Sequence, residues 1–231
     1  MIFGGLQKVS TIDFPGNLSC VAFVRGCDLD CFYCHNRELL SPGEGELTSG
    51  EVLDFLRRRQ GLLDGIVVSG GEPTLYSDLT DFLKQVKALG FQIKLDTNGQ
   101  RPEVVQALIQ QRLVDYVAVD WKALPQHCLE VTGPEDAWEK ARQTILLLMD
   151  EKTAFEARTT LYPVLTRGEL LELASLLPPL PRYRINFFHQ PPEFRPGDQQ
   201  RLGLPCLGKK DLAAIETAIR SFQPGLIWQR D

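Results

Sequence analysis

Residues 18–36 read LSCVAFVRGCDLDCFYCHN, an apolar run that passes straight into a loop carrying Cys27, Cys31 and Cys34. Residues 18–24 have the length and the Val, Phe and Ala content of a strand buried on both faces. Three cysteines immediately past such a strand point to a site built at its C-terminal end. The fold then turns on whether the rest of the chain repeats this arrangement.

It does. Residues 65–69, GIVVS, form a short apolar strand that ends in Gly70-Gly71-Glu72-Pro73. Residues 91–95 lead into Asp96-Thr97-Asn98-Gly99, and residues 116–119 into Asp120-Trp121-Lys122. Residues 155–162 carry Arg158, and the strand over 183–188 ends at His189. Helical stretches separate these strands. Thr48 with Glu51 three residues on is a capping box and opens a helix over 48–60. In 78–89, Leu79, Phe82, Leu83 and Val86 form one stripe, which Gly90 stops. Pro102 suits the first turn of a helix over 102–111. Further helices are expected over 136–149, 166–177 and 209–222, and residues 226–228 read as a seventh strand or a packed tail. No repeat, low-complexity tract or long linker interrupts residues 1–231, which predicts a single domain.

Strands alternating with helices imply parallel pairing through right-handed crossovers. Six such units fit a doubly wound sheet or an incomplete barrel. A doubly wound sheet gathers ligand contacts near one switch point, whereas a barrel brings the C-terminal ends of all its strands to one face. Here the unusual residues follow strand ends along the whole chain. The sequence therefore predicts an α/β fold, an incomplete (β/α)6 barrel on a parallel sheet.

Composition excludes several classes. With 43% apolar and 24% charged residues, wholesale disorder is out. The 25 basic and 30 acidic residues leave a net charge of −5, and the only basic cluster is Arg57-Arg58-Arg59, so no nucleic-acid partner is expected. Apolar stretches such as 145–149 are too short for a bilayer, which argues against a membrane partner. The opening MIFGGLQKVSTIDFPG lacks a basic flank before an apolar core and does not read as a signal peptide. A cytoplasmic location is expected. In a reducing compartment clustered cysteines bind metal more often than they pair. Cys20 is expected in the core, and Cys128 and Cys206 in loops. Trp121, Phe187 and Phe188 could line a peptide groove, with core as the favoured expectation.

The spacing C-x3-C-x2-C can hold three corners of an iron–sulfur cubane. A fully protein-ligated [4Fe–4S] cluster uses four cysteines, so three leave one iron open to an external ligand. The competing arrangement is a zinc ion with His35 as fourth ligand. A directly adjacent Cys34–His35 pair is poorly disposed to grip one tetrahedral ion.

Together, the cysteine motif with Tyr33 inside it, the strand before it and the GGEP segment after the next strand resemble the radical S-adenosylmethionine superfamily. GLQKVSTIDFPG (residues 5–16) and GCDLDCFYCHNREL (residues 26–39) resemble the glycyl-radical-enzyme activases. Within them the nearest resemblance is to the long form of the anaerobic ribonucleoside-triphosphate reductase activating proteins. It is dense from residue 5 to 122 and thins to isolated positions beyond.

The resemblance implies a [4Fe–4S] cluster on Cys27, Cys31 and Cys34 that binds S-adenosylmethionine at its open iron. An electron from a flavodoxin- or ferredoxin-type donor then cleaves the sulfonium bond. The 5′-deoxyadenosyl radical so formed removes a Cα hydrogen from a glycine of a partner glycyl radical enzyme, here an anaerobic ribonucleotide reductase. The resemblance also implies roles. Gly70 and Gly71 meet the methionine part of the nucleotide, with Glu72 near its amino group. Tyr33 and His35 contact the adenine, and His189 lies near the ribose. Asp96 and Thr97 of the DTNG segment, which also contains Asn98, join Asp120 in holding a monovalent cation near the methionine carboxylate. Lys122 lies near the substrate peptide, so Asp120 and Lys122 are the candidate catalytic pair. Arg158 matches an activase arginine, with a substrate carboxylate, Glu156 or Asp120 as its possible partners. After Arg158, TTLYPVLT departs from the VVPG-type turn of the formate-lyase-type activases. The alternative is a small-molecule radical enzyme similar to the 7-carboxy-7-deazaguanine synthases.

Overall fold

A computed structural model describes residues 1–41 and 47–228. The chain opens with strands β1 (Ile2–Ser10), β2 (Ser19–Val24) and β3 (Leu47–Thr48) and helix α1 (Ser49–Arg57). Next come β4 (Gly65–Gly70), α2 (Leu79–Ala88), β5 (Gln92–Thr97) and α3 (Pro102–Gln110). Strand β6 (Tyr116–Asp120) is followed by a short α4 (Cys128–Thr132) and by α5 (Ala137–Asp150). The chain continues through β7 (Phe155–Leu161), α6 (Arg167–Ser175), β8 (Tyr183–Phe187), a one-turn α7 (Gln199–Leu202), α8 (Lys209–Phe222) and β9 (Leu226–Trp228).

All nine strands join one sheet in the order β3-β1-β2-β4-β5-β6-β7-β8-β9. From β2 to β9 the strands are parallel and lie side by side in chain order, with no reversal. A doubly wound sheet reverses direction at its switch point, and this one does not. The sheet is open, with β3 and β9 at its edges. Residues 226–228 pair in parallel with β8, which makes them a strand.

The two faces of the sheet differ. Cys20, Ala22, Val68, Leu95, Val119 and Ala157 point into a large apolar core shared with helix residues such as Leu83, Leu108 and Ile145. The alternate residues face away from it. Near the N-terminal ends of the strands that second face holds a small apolar plug of Phe14, Val21 and Val67, with Phe23 and Tyr116 against it. Further along it becomes charged. Right-handed crossovers added always in the same direction put the helices on one side, which leaves the other side to enclose a site.

Four elements lie outside the expectations from sequence: β1, β3, α4 and α7. β1 pairs antiparallel with β2, and β3 antiparallel with β1, so the sheet is mostly rather than wholly parallel. β1 contains Gly4-Gly5 and has register shifts between Phe3 and Gly5 and between Gln7 and Ser10. Glycine weakens the strand signal and a bulge breaks its period of two. Cys128 begins α4 rather than lying in a loop. Local signals that held include the Thr48 cap, which accepts from the Glu51 N–H at 3.3 Å while Glu51 accepts from the Thr48 N–H at 2.7 Å. Thr166 and Glu169 repeat that box at the start of α6. Trp121 is core, its Nε1–H donating to the Leu173 carbonyl at 3.0 Å. Among the described residues no helix is long and apolar enough to cross a membrane.

Candidate active site

The C-terminal ends of the strands surround a cavity of about 1060 Å³. Cys27, Cys31 and Cys34 line it, as do Tyr33 and His35 from the same loop. Gly70 and Gly71 enter from β4, Asp96 and Asn98 from β5, Asp120 and Lys122 from β6, and Arg158 from β7. His189, past β8, is exposed at its rim. Residues widely separated in sequence thus face one space.

Glu72 and Thr97 are not on that surface. The fully buried Glu72 accepts the Thr74 N–H (3.1 Å), the Thr74 hydroxyl (2.7 Å), the Thr97 hydroxyl (2.8 Å) and the Asn98 N–H (2.6 Å). Burial pushes its carboxyl up to about 7, although the donors from Asn98, Thr74 and Thr97 oppose the shift. Its side chain braces the GGEP turn against the DTNG turn from behind the cavity wall.

The glycines serve a similar end. Gly70 has φ +114°, and a Cβ there would lie 2.4 Å from the Val24 nitrogen. A Cβ on Gly71 would lie 2.0 Å from the Gly26 carbonyl oxygen. The backbone that approaches them so closely is the lead into the cysteine loop, held by Gly71 N–H to Val24 (2.8 Å) and Glu72 N–H to Gly26 (2.7 Å).

Within the loop, Asn98 Nδ2 donates to Asp28 Oδ1 at 2.7 Å and approaches the Cys27 sulfur at 3.7 Å. The Leu29 N–H reaches the same sulfur at 3.4 Å. Tyr33 stacks on Tyr162, with ring centroids 4.9 Å apart and planes 16° apart. Burial pushes the thiols up, Cys27 to about 12 and Cys31 to about 11, and raises Cys34 as well. Lys122 is the cation that acts against this rise at all three. All six cysteines are free thiols. Among the described residues no three His, Cys, Asp or Glu side chains gather round one point in the manner of a single-ion site, and His35 does not complete one. Cys27, Cys31 and Cys34 all line the one cavity, and three cysteines at this spacing suit an iron–sulfur cluster with one iron left open.

A charged belt crosses the floor of the cavity. The carboxylate of Asp96 accepts from the Lys94 ammonium on Oδ1, and from Ser69 Oγ (3.1 Å) and Arg158 Nη1 (3.0 Å) on Oδ2. Asp120 accepts Arg158 Nη2 on Oδ1 at 2.9 Å and Lys122 Nζ on Oδ2 at 2.9 Å. Burial drives the Asp120 carboxyl upward, but Lys122 and Arg158 outweigh it and hold it at about 2. Asp96 is lowered in the same way, burial being outweighed by Arg158 and Lys94. For Lys122 burial works downward, and Asp120 more than offsets it. The monovalent cation expected at Asp96, Thr97 and Asp120 therefore meets four carboxylate oxygens already engaged and a Thr97 hydroxyl committed to Glu72. Arg158 has both aspartates as partners rather than Glu156, which pairs with Arg182 at 2.8 Å.

The sequence reading passed over Lys94, Arg182, Arg184 and the loop of Thr11, Ile12 and Asp13, which lines the cavity except for Lys94. A signal was present. Lys94-Leu95-Asp96, Glu156-Ala157-Arg158 and Arg184-Ile185-Asn186 put polar groups at a period of two in strands that are apolar on their other face. Phe187 and Phe188 are partly buried on the cavity wall rather than core.

Comparison with known proteins agrees with this geometry. The sequence profile of the Radical SAM superfamily matches residues 21–177. A Methanocaldococcus jannaschii protein that bears the provisional name glycyl-radical enzyme activating enzyme is 33% identical over 213 residues, 88% of this chain and 86% of its own length. The pyruvate formate-lyase-activating enzyme of Listeria monocytogenes is 31% identical over 144 residues, 57% of this chain and 58% of its own. Among solved structures, native anSMEcpe with bound AdoMet matches with a TM-score of 0.62 at 16% identity. That match covers 86% of this chain and 57% of the other, and the likeness is one of fold.

Proposed function

The chain belongs to the radical SAM superfamily, and from that premise we propose that it is a glycyl-radical-enzyme activase serving an anaerobic ribonucleoside-triphosphate reductase. The observation that carries this reading is the three-thiol loop packed against a glycine pair at the edge of one cavity, in a chain similar over 88% of its length to a protein named for such activation.

Cys27, Cys31 and Cys34 would hold a [4Fe–4S] cluster; among the described residues they are the thiols that line the cavity, and three cysteines would leave one of four irons to an external ligand. When bound, the cluster and S-adenosylmethionine supply reductive cleavage of the sulfonium and a primary carbon radical able to take a glycine Cα hydrogen. The protein's own part is to bind, orient and exclude water. The positive charge of Lys122 acts against the rise that burial imposes on all three thiols, in the direction of their ionised form. Gly70 and Gly71 bring backbone to the cavity wall where a methionine moiety fits, and Asn98 faces the same wall. Tyr33, held flat by Tyr162, with His35 and His189 at the rim, offers aromatic and polar edges to an adenosine. Arg158 and Lys122 present positive charge to a carboxylate.

The protein substrate would enter as an extended glycine-bearing loop past Phe187 and Phe188, with a flavodoxin or ferredoxin as electron donor. The test is anaerobic reconstitution with S-adenosylmethionine, a low-potential reductant and candidate partners. A glycyl doublet in electron paramagnetic resonance, dependent on the reductase, is the expected result. Turnover of a small molecule with no partner present would favour the deazaguanine-synthase type instead.

A further inference from the structure

We propose that this chain carries a built-in replacement for a monovalent cation, with the Lys94 and Lys122 ammonium groups and the Arg158 guanidinium occupying the Asp96 and Asp120 oxygens that such an ion would need. The inference rests on reading this end of the cavity as the S-adenosylmethionine site, and it concerns how that site is charged.

Lys94 and Asp96 are two residues apart on β5, so their side chains share a face of the sheet. Only 1% of the Lys94 side chain is exposed, and its ammonium pairs with Asp96 Oδ1. An ammonium held away from water stays where its counter-charge is. Arg158 spans the other gap, donating Nη1 to Asp96 and Nε and Nη2 to Asp120 at 2.9–3.1 Å. This register follows from Asp120 pairing with Arg158 across β6 and β7. A planar, multiply bonded guanidinium fixes two carboxylates at once, which a spherical ion does with less directional control.

The charge balance points the same way. Lys94, Arg158 and Lys122 carry three positive charges against two on Asp96 and Asp120, while Glu156 and Arg182 neutralise each other. Summed over these ion-paired groups, the belt carries one net positive charge. A further cation would raise it, and a ligand carboxylate would cancel it. The belt is therefore a receptor for an amino-acid carboxylate that needs no ion to complete it.

The test compares reconstituted protein in potassium, sodium and choline buffers. S-adenosylmethionine affinity by calorimetry is expected to change by less than about 2-fold among them, and thallium-205 NMR is expected to show no bound ion. Lys94→Met uncovers an Asp96 oxygen, so its affinity is expected to fall about 10-fold in choline and to recover in potassium. Wild-type affinity that drops about 10-fold without potassium, a thallium resonance from the wild-type site, or a Lys94→Met protein indifferent to the salt would each overturn the replacement. Should Lys94→Met fail to fold, the wild-type salt series and thallium spectrum decide alone. No binding of the nucleotide in any salt would sink the site reading itself, while the thallium result would still judge the cation question.

Discussion

The Glu72 carboxylate accepts the backbone N–H of Asn98 at 2.6 Å, joining the turn after β4 to the turn after β5 across 26 residues of chain. The other oxygen takes Thr74 and Thr97. Two loops of the cavity wall are thereby one unit, fastened from the protein side.

Glu72→Gln should loosen that unit. Glutamine has one acceptor oxygen, so either the Asn98 N–H or the Thr74 and Thr97 donors would face an NH2 group. Leaving a buried donor unpaired costs about 1–3 kcal/mol. Urea unfolding should show a matching fall in midpoint, and nucleotide affinity should weaken with it. Unfolding coincident with wild type would show that the brace carries little.

Gly71→Ala attacks the cysteine loop from the opposite side. Its methyl would stand 2.0 Å from the Gly26 oxygen, which is backbone and has to move. Overpacking of this kind costs roughly 1–3 kcal/mol, and the movement displaces Cys27. We expect a folded protein whose reconstituted iron content and 5′-deoxyadenosine yield are both far below wild type. Normal values of the two would mean that the loop tolerates the shift.

Acid should expose the charged belt. The folded Asp120 carboxyl sits at about 2, below its ordinary unfolded range near ~3.9. A carboxyl lowered by folding stabilises fully above its unfolded pKa, and that contribution is lost as pH falls through the folded one. Asp96 is shifted in the same direction. Apoprotein stability attributable to these groups should therefore decline between about pH 4 and pH 2. Asp120→Asn should flatten that decline in a pH series of thermal melts, and parallel curves would contradict it.

Single alanine replacements of Cys27, Cys31 and Cys34 should each prevent retention of about four irons per chain. Cys20, Cys128 and Cys206 lie off the cavity lining, and their replacements should keep the iron. Iron and sulfide assays on all six separate the two groups. A cavity cysteine whose loss leaves the iron count intact is not a ligand.

The order of elements was legible in the sequence because each signal is local. The apolar runs, the Thr48–Glu51 box, the stop at Gly90 and the helix start at Pro102 depend on residues a few positions apart. β1 escaped that reading because Gly4-Gly5 and two register shifts blur its period, and it is held in the sheet by pairing with β2.

What the amino-acid sequence determined by itself was the strand–helix alternation and the three-cysteine loop at a strand end, since spacing along the chain is enough for both. Tertiary structure alone decided that Glu72 turns inward while Asn98 faces the cavity, and that Lys94 and Arg158 engage different oxygens of Asp96. Arg158 and Asp96 are 62 residues apart and belong to strands separated by β6. Their contact depends on strand order, register and the shared face of the sheet, and these are settled only when the helices bury the other face.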